Sequence, residues 1–77
     1  MPRIARLAAV SIYIYADDHA PPHFHARGPD TNIQVSIETL QVMRGHYKRG
    51  AFAETTAWAA DNQSLLRAKW IEFNEQD

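Results

Sequence analysis

The chain contains no cysteine, which excludes disulfide staples, thiolate metal sites, a cysteine nucleophile and dithiol redox chemistry. Any metal must therefore be held by histidine and carboxylate. A long apolar run is also missing. The alternating stretch from Val10 to Tyr15 falls far short of the roughly 20 residues a spanning helix needs, and no signal-peptide core follows Met1. The expectation is a soluble, cytoplasmic protein with no membrane partner. Neither charge dominates: eight basic residues against nine acidic ones give a net charge of -1 and a pI near 6.4. No global positive field draws the chain to nucleic acid, although a local patch is permitted. With only three glycines, the chain has no phosphate-cradling glycine loop, and it shows no Ser/His/Asp motif or zinc-finger spacing.

The 77 residues and 8.8 kDa allow one domain, residues 1–77, and leave no room for a second core. A hydrophobic fraction of 45%, with two Trp, three Tyr and three Phe, is enough to build that core and argues against disorder. A domain this small buries only about 60% of its unfolded surface, so self-association or a complex with another chain is the default expectation.

Alternation identifies the strands. Val10, Ile12 and Ile14 alternate with Ser11, Tyr13 and Tyr15 in a β-branched and aromatic segment that suits a half-buried strand. Asp17, Asp18 and the Pro21-Pro22 pair interrupt it with a loop. His23 to Arg27 reads as a short second strand ended by Gly28-Pro29-Asp30. Ile33, Val35 and Ile37 then mark a third strand over Asn32 to Ile37. After Glu38-Thr39 the chain reverses into Leu40 to Met43, and Arg44-Gly45 closes the sheet region. Such short connections favour an antiparallel meander of three to four strands.

Spacing then becomes helical. Phe52, Thr55, Thr56 and Ala59 share one face of a helix from about Lys48 to Ala60. Asp61 or Asn62 breaks or caps it, and Leu66, Trp70 and Phe73 continue at helical spacing, either as one kinked helix or as two. Phe52, Trp58, Leu66 and Trp70 are the expected anchors facing the sheet, as core rather than as a cofactor box. The fold class is α+β: a small antiparallel sheet covered on one face by C-terminal helical structure, with an imidazole cluster at its edge or open face.

That cluster is the main chemical signal: three of the four histidines, His19, His23 and His25, fall within seven positions beside Asp17 and Asp18. In a strand His23 and His25 project to one face and Phe24 to the other. If Phe24 goes inward, both imidazoles face out. The Pro-Pro pair stiffens the connection to His19. Three readings follow. His19, His23 and His25, or two of them with a carboxylate, are a normal ligand set for zinc, nickel or iron. Without metal, His23 and His25 can act as acid and base, oriented by His19 or Asp18, for instance in cleaving an RNA phosphodiester through its own 2′-hydroxyl. In the third reading the rings only order the loop by hydrogen bonding.

Other features are weaker. Arg44, Lys48 and Arg49, with His46 and Tyr47, form a basic turn beside the expected helix start, suited to phosphate or simply a solvated charged turn. Arg3 and Arg6 extend it if the termini fold onto that side. Met1-Pro2 invites comparison with tautomerases that use an amino-terminal proline as base, but their pattern does not follow it.

Met1-Pro2-Arg3-Ile4, Ile12-Tyr13-Ile14-Tyr15, the block Asp18-His19-Ala20-Pro21-Pro22-His23-Phe24-His25, Ile37-Glu38-Thr39-Leu40, Trp58-Ala59 and Leu66 to Trp70 together resemble a bacterial family, the small domain of unknown function 4160. The resemblance runs over nearly the whole chain. It implies a partnership with a second small protein encoded alongside, in an arrangement similar to toxin-antitoxin pairs, and carries over no catalytic residues. Relatives tend to show a Leu-Pro-x-Arg-like segment before the helix, where this chain has His46-Tyr47-Lys48-Arg49-Gly50. The functional expectation is one component of such a pair, acting on RNA through the histidines or on a protein partner. The alternatives are a non-catalytic metal-binding or protein-interaction module and a DNA-binding accessory regulator.

Overall fold

The computed structural model describes residues 3–75; the Met1-Pro2 pair lies outside them. Five strands precede two helices: β1 (Arg3–Arg6), β2 (Ser11–Tyr13), β3 (His23–Gly28), β4 (Thr31–Ser36), β5 (Val42–His46), α1 (Arg49–Asp61) and α2 (Gln63–Asn74). Each strand pairs antiparallel with the next, so the sheet order is the sequence order. The meander and the α+β class agree with the sequence reading, but the sheet has five strands rather than three or four. The additional strand is β1, in which arginines bracket Ile4-Ala5 and the register shifts between Arg3 and Ala5. A four-residue bulged strand gives no alternation to detect.

The last strand lies later than Leu40 to Met43, and Arg44-Gly45 lies inside it. The turn consumes the difference: Leu40 donates its N–H to the Ser36 carbonyl at 2.8 Å, and Ser36 donates to the Gln41 carbonyl at 3.0 Å. Gly45 is required within β5, because its φ is +106° and a Cβ there would fall 2.1 Å from the Asn32 carbonyl oxygen.

One face of the sheet is the core. Ile12, Phe24, Ala26, Ile33 and Val35 are buried there, joined by Val10, Ile14 and Ile37, and the helices contribute Ala51, Thr55, Ala59, Leu66 and Trp70. Of the expected face Phe52, Thr55, Thr56 and Ala59, Thr55 and Ala59 are buried, joined by Ala51, while Phe52 and Trp58 pack partly buried against the core. The Thr55 hydroxyl donates to the Ala51 carbonyl at 2.7 Å, so no polar group is left unpaired there. The helical half is two helices. Asn62, at φ -130° and ψ 23°, leaves helical geometry between them.

The opposite face presents polar side chains in register. One row runs Arg3, Tyr13, His25, Gln34, Arg44, and the next runs Arg6, Ser11, Arg27, Asn32, His46. The histidine cluster belongs to this open face, as expected.

Candidate metal centre

β3 starts directly after Pro21-Pro22, and its alternation sends Phe24 into the core while His23 and His25 take the open face. The imidazoles do not, however, project into water as the alternation implies: His23 is 4% exposed and His25 is 8% exposed. The correction comes from the preceding loop, which folds back over them. Asp17 turns the chain with a positive φ of 59°, a conformation aspartate tolerates better than most residues. The side chain of Asn74, at the end of α2, holds the turn in place. Its Oδ1 accepts the Asp18 N–H at 2.7 Å and its Nδ2 donates to the Tyr15 carbonyl at 3.0 Å. Trp70, one helical turn earlier, packs its ring 5.2 Å from that of His23, and the Tyr15 ring meets His25 edge-on at 4.5 Å.

Under this cover three donor atoms converge. Asp18 Oδ2 lies 3.0 Å from His23 Nε2 and 3.1 Å from His25 Nε2, while Asp18 Oδ1 accepts the His19 N–H at 2.9 Å. The other nitrogen of His23, Nδ1, lies 2.8 Å from the Pro21 carbonyl oxygen. A carbonyl can only accept, so Nδ1 carries a hydrogen. In neutral His23 the Nε2 lone pair then faces a carboxylate oxygen, which is repulsive. Positive charge between them removes the conflict, either a second proton that makes His23 an imidazolium or a metal ion.

The two nitrogen–oxygen separations are hydrogen-bond lengths, and they also admit a metal. Ligand atoms around an ion at about 2.1 Å stand roughly 3.0–3.4 Å apart, which matches both nitrogen–oxygen separations. All three donor atoms lie within 4.8 Å of one another. The hydrogen bond from Nδ1 to a backbone carbonyl is the usual outer contact of a metal-ligating histidine, because it fixes the tautomer and aims Nε2.

Protonation favours the same state. Burial pushes the Asp18 carboxyl up, but hydrogen bonds from His25 and the His19 amide, with both imidazoles nearby, outweigh it and hold the group below the usual carboxylate range. Burial pushes His25 down, and proximity to His23 and Arg27 adds to this; the bond to Asp18 only partly offsets them. Near neutral pH the centre therefore combines an anionic carboxylate with a neutral imidazole, which ligates a divalent ion through Nε2 once the hydrogen shared with Asp18 stands on Nδ1 instead.

The other expected site residues are dispersed. His19, expected as the third imidazole, is exposed and supplies only its main-chain N–H; Asp18 takes its place among the donors. His19 lines a groove of about 270 Å³ beside the centre, together with Asp18, His23, Gln34 and Arg44. Arg44 is the member of the basic turn that reaches this groove. Lys48 pairs instead with Asp30 at 3.4 Å, both well exposed, and Arg49 opens α1. Three contributors escape sequence reading: Tyr15, Trp70 and Asn74. No local pattern could announce Asn74, which sits 56 residues from the amide it holds.

The family model described as a domain of unknown function, DUF4160, matches residues 10–71, a span that includes all three donors and Trp70. No curated protein and no solved structure matches the chain. Since the matched span exceeds half of the 77 residues, the chain belongs to the DUF4160 family.

Proposed function

We propose that the protein is a metal-binding module that holds one divalent ion of the zinc or nickel class through His23 Nε2, His25 Nε2 and an oxygen of Asp18. The observation that carries this reading is the convergence of three donor atoms, with the remaining His23 nitrogen committed to the Pro21 carbonyl. Two imidazoles and a carboxylate leave coordination positions for water or a ligand from the adjoining groove. Such a centre can polarise a bound oxyanion or lower the pKa of a bound water.

Metal-free acid–base catalysis by His23 and His25 fits less well. An in-line displacement at phosphorus needs proton transfer on opposite sides, where the attacking and leaving oxygens lie. Here both Nε2 atoms face one carboxylate oxygen. The toxin-antitoxin-like pairing that the resemblance implies would make the metal centre the activity that a small partner protein controls. Expression of the chain with and without that partner tests it: growth inhibition relieved by the partner and abolished in the His23→Ala/His25→Ala double variant supports the pairing, and unaffected growth removes it.

The metal reading is tested on protein purified without an affinity tag. Elemental analysis and calorimetric titration should give roughly one zinc or nickel per chain, lost in His25→Ala.

A further inference from the structure

The five strands of the described residues contain four arginines and no aspartate or glutamate. By register all four, Arg3, Arg6, Arg27 and Arg44, stand on the open face, and all are exposed. Elsewhere Lys48, Arg67 and Lys69 have ion-pair partners in Asp30, Glu38 and Glu72, and Arg49 at the start of α1 has none among the described residues. Among the described residues none of the four arginines has one. The near-neutral total thus conceals a separation of charge: the strands carry only cations, while the carboxylates lie in turns and helices, with Asp18 brought by its loop over the histidines of this face.

This face is also shaped. Arg3, Arg6, Ser11 and Arg27 line an open groove of about 330 Å³ together with the turn at residues 7–10 and Pro29, and Arg44 lines the groove beside the histidines together with Asp18 and Met43. Between them Tyr13 lies parallel to Tyr15 at 5.9 Å, and the Arg27 guanidinium sits 5.6 Å from the centre of the Tyr15 ring. From Arg3 to Arg44 the row crosses five strands, about 19 Å at ordinary strand spacing. His25 stands in the middle of that row, beneath the loop that carries Asp18.

We propose that this face binds single-stranded RNA, with phosphates on the four arginines and an unstacked base against Tyr13. Arginine on phosphate combined with a ring for a base is the recurring way in which open sheets hold single strands. Ser11, Asn32 and Gln34, interleaved with the arginines, offer donors and acceptors for the 2′-hydroxyl. A protein partner fits less well, since the two rows themselves contain no aliphatic side chain and the exposed apolar residue beside them is the single Met43 of the second groove. Binding in this sense does not depend on the metal.

The test is fluorescence anisotropy with the full chain and a labelled single-stranded RNA of mixed sequence, about 12 nucleotides long, within the footprint of small single-strand-binding folds. Affinity should fall with salt at a slope of about -0.7 per phosphate held. Arg6→Ala/Arg27→Ala and Arg3→Ala/Arg44→Ala, checked for folding by circular dichroism, should each weaken binding by about tenfold and flatten the slope. Arg67→Ala/Lys69→Ala, on α2, should leave it unchanged. Binding that survives a chelator is the expected result and keeps this inference separate from the metal reading. The proposal is overturned by absence of binding, by loss of binding on chelation, by equal binding of single-stranded DNA of the same sequence, or by equal binding of an acidic polypeptide.

Discussion

The main-chain N–H of Asp18 is bonded to the side-chain oxygen of Asn74 at 2.7 Å, across 56 residues of chain. This one contact fixes the loop that carries the carboxylate to the end of the last helix, so the geometry of the donor set depends on α2 as well as on the sheet. Asn74→Ala removes both bonds of the clamp. Its cost should be about 1–3 kcal/mol, because a largely enclosed amide loses its acceptor. Metal affinity should fall by about tenfold or more, the usual effect of removing an outer contact. Denaturant unfolding and calorimetric titration of the same variant check the two numbers.

Asp18→Asn separates charge from shape. The main-chain bonds of the turn persist, so the variant folds, but the anion between the imidazoles is gone. Metal affinity should fall at least as far as in Asn74→Ala, and the His25 imidazole should titrate lower still, since its bond to Asp18 is one of the influences raising it. Imidazole proton shifts followed by NMR across pH report this directly; an upward movement of His25 would contradict the charge assignment.

The metal-free protein should lose stability on acidification. For both Asp18 and His25 the folded pKa lies below the ordinary value, so in each case the unfolded chain takes up the proton first. The stabilisation is complete above about pH 6.5, the ordinary imidazole value. It declines as pH falls toward the folded value of His25, and declines again through the carboxylate range as Asp18 is protonated. Thermal unfolding from pH 8 to pH 4 should show this fall, and the His25→Ala variant should lack its upper limb.

Trp70 provides an internal reporter. Its ring lies 5.2 Å from that of His23, whereas Trp58 packs against the core from α1. Adding zinc should change tryptophan emission in Trp58→Phe and leave emission unchanged in Trp70→Phe. The opposite pattern would locate the ion elsewhere.

Much of this arrangement is legible in the sequence, for local reasons. Period-two alternation fixes β2 to β4 and puts Phe24 and the two histidines on opposite faces, and the switch to helical spacing after Gly50 fixes the layer that covers the core. β1 escapes because two apolar residues between arginines carry no period, and in α1 the expected Thr55 and Ala59 are buried with Ala51, while the bulkier Phe52 lies at the margin of the core. The centre itself is half legible. Clustering singles out His19, His23 and His25 beside Asp17 and Asp18, but which third group joins His23 and His25 depends on how the turn at Asp17 folds. That is decided by Asn74 and Trp70, from the far end of the chain. The basic turn separates because a strand end, a pairing with Asp30 and a helix start send Arg44, Lys48 and Arg49 to different places.

The central claim is that a metal ion, rather than an additional proton, resolves the approach of His23 Nε2 to Asp18 Oδ2. Calorimetric titration of tag-free, metal-stripped protein with zinc near neutral pH tests it most directly. The account predicts roughly one ion per chain with proton release, removed by His23→Ala, His25→Ala or Asp18→Asn and retained in His19→Ala. No binding, or binding that follows His19 instead of Asp18, would contradict it.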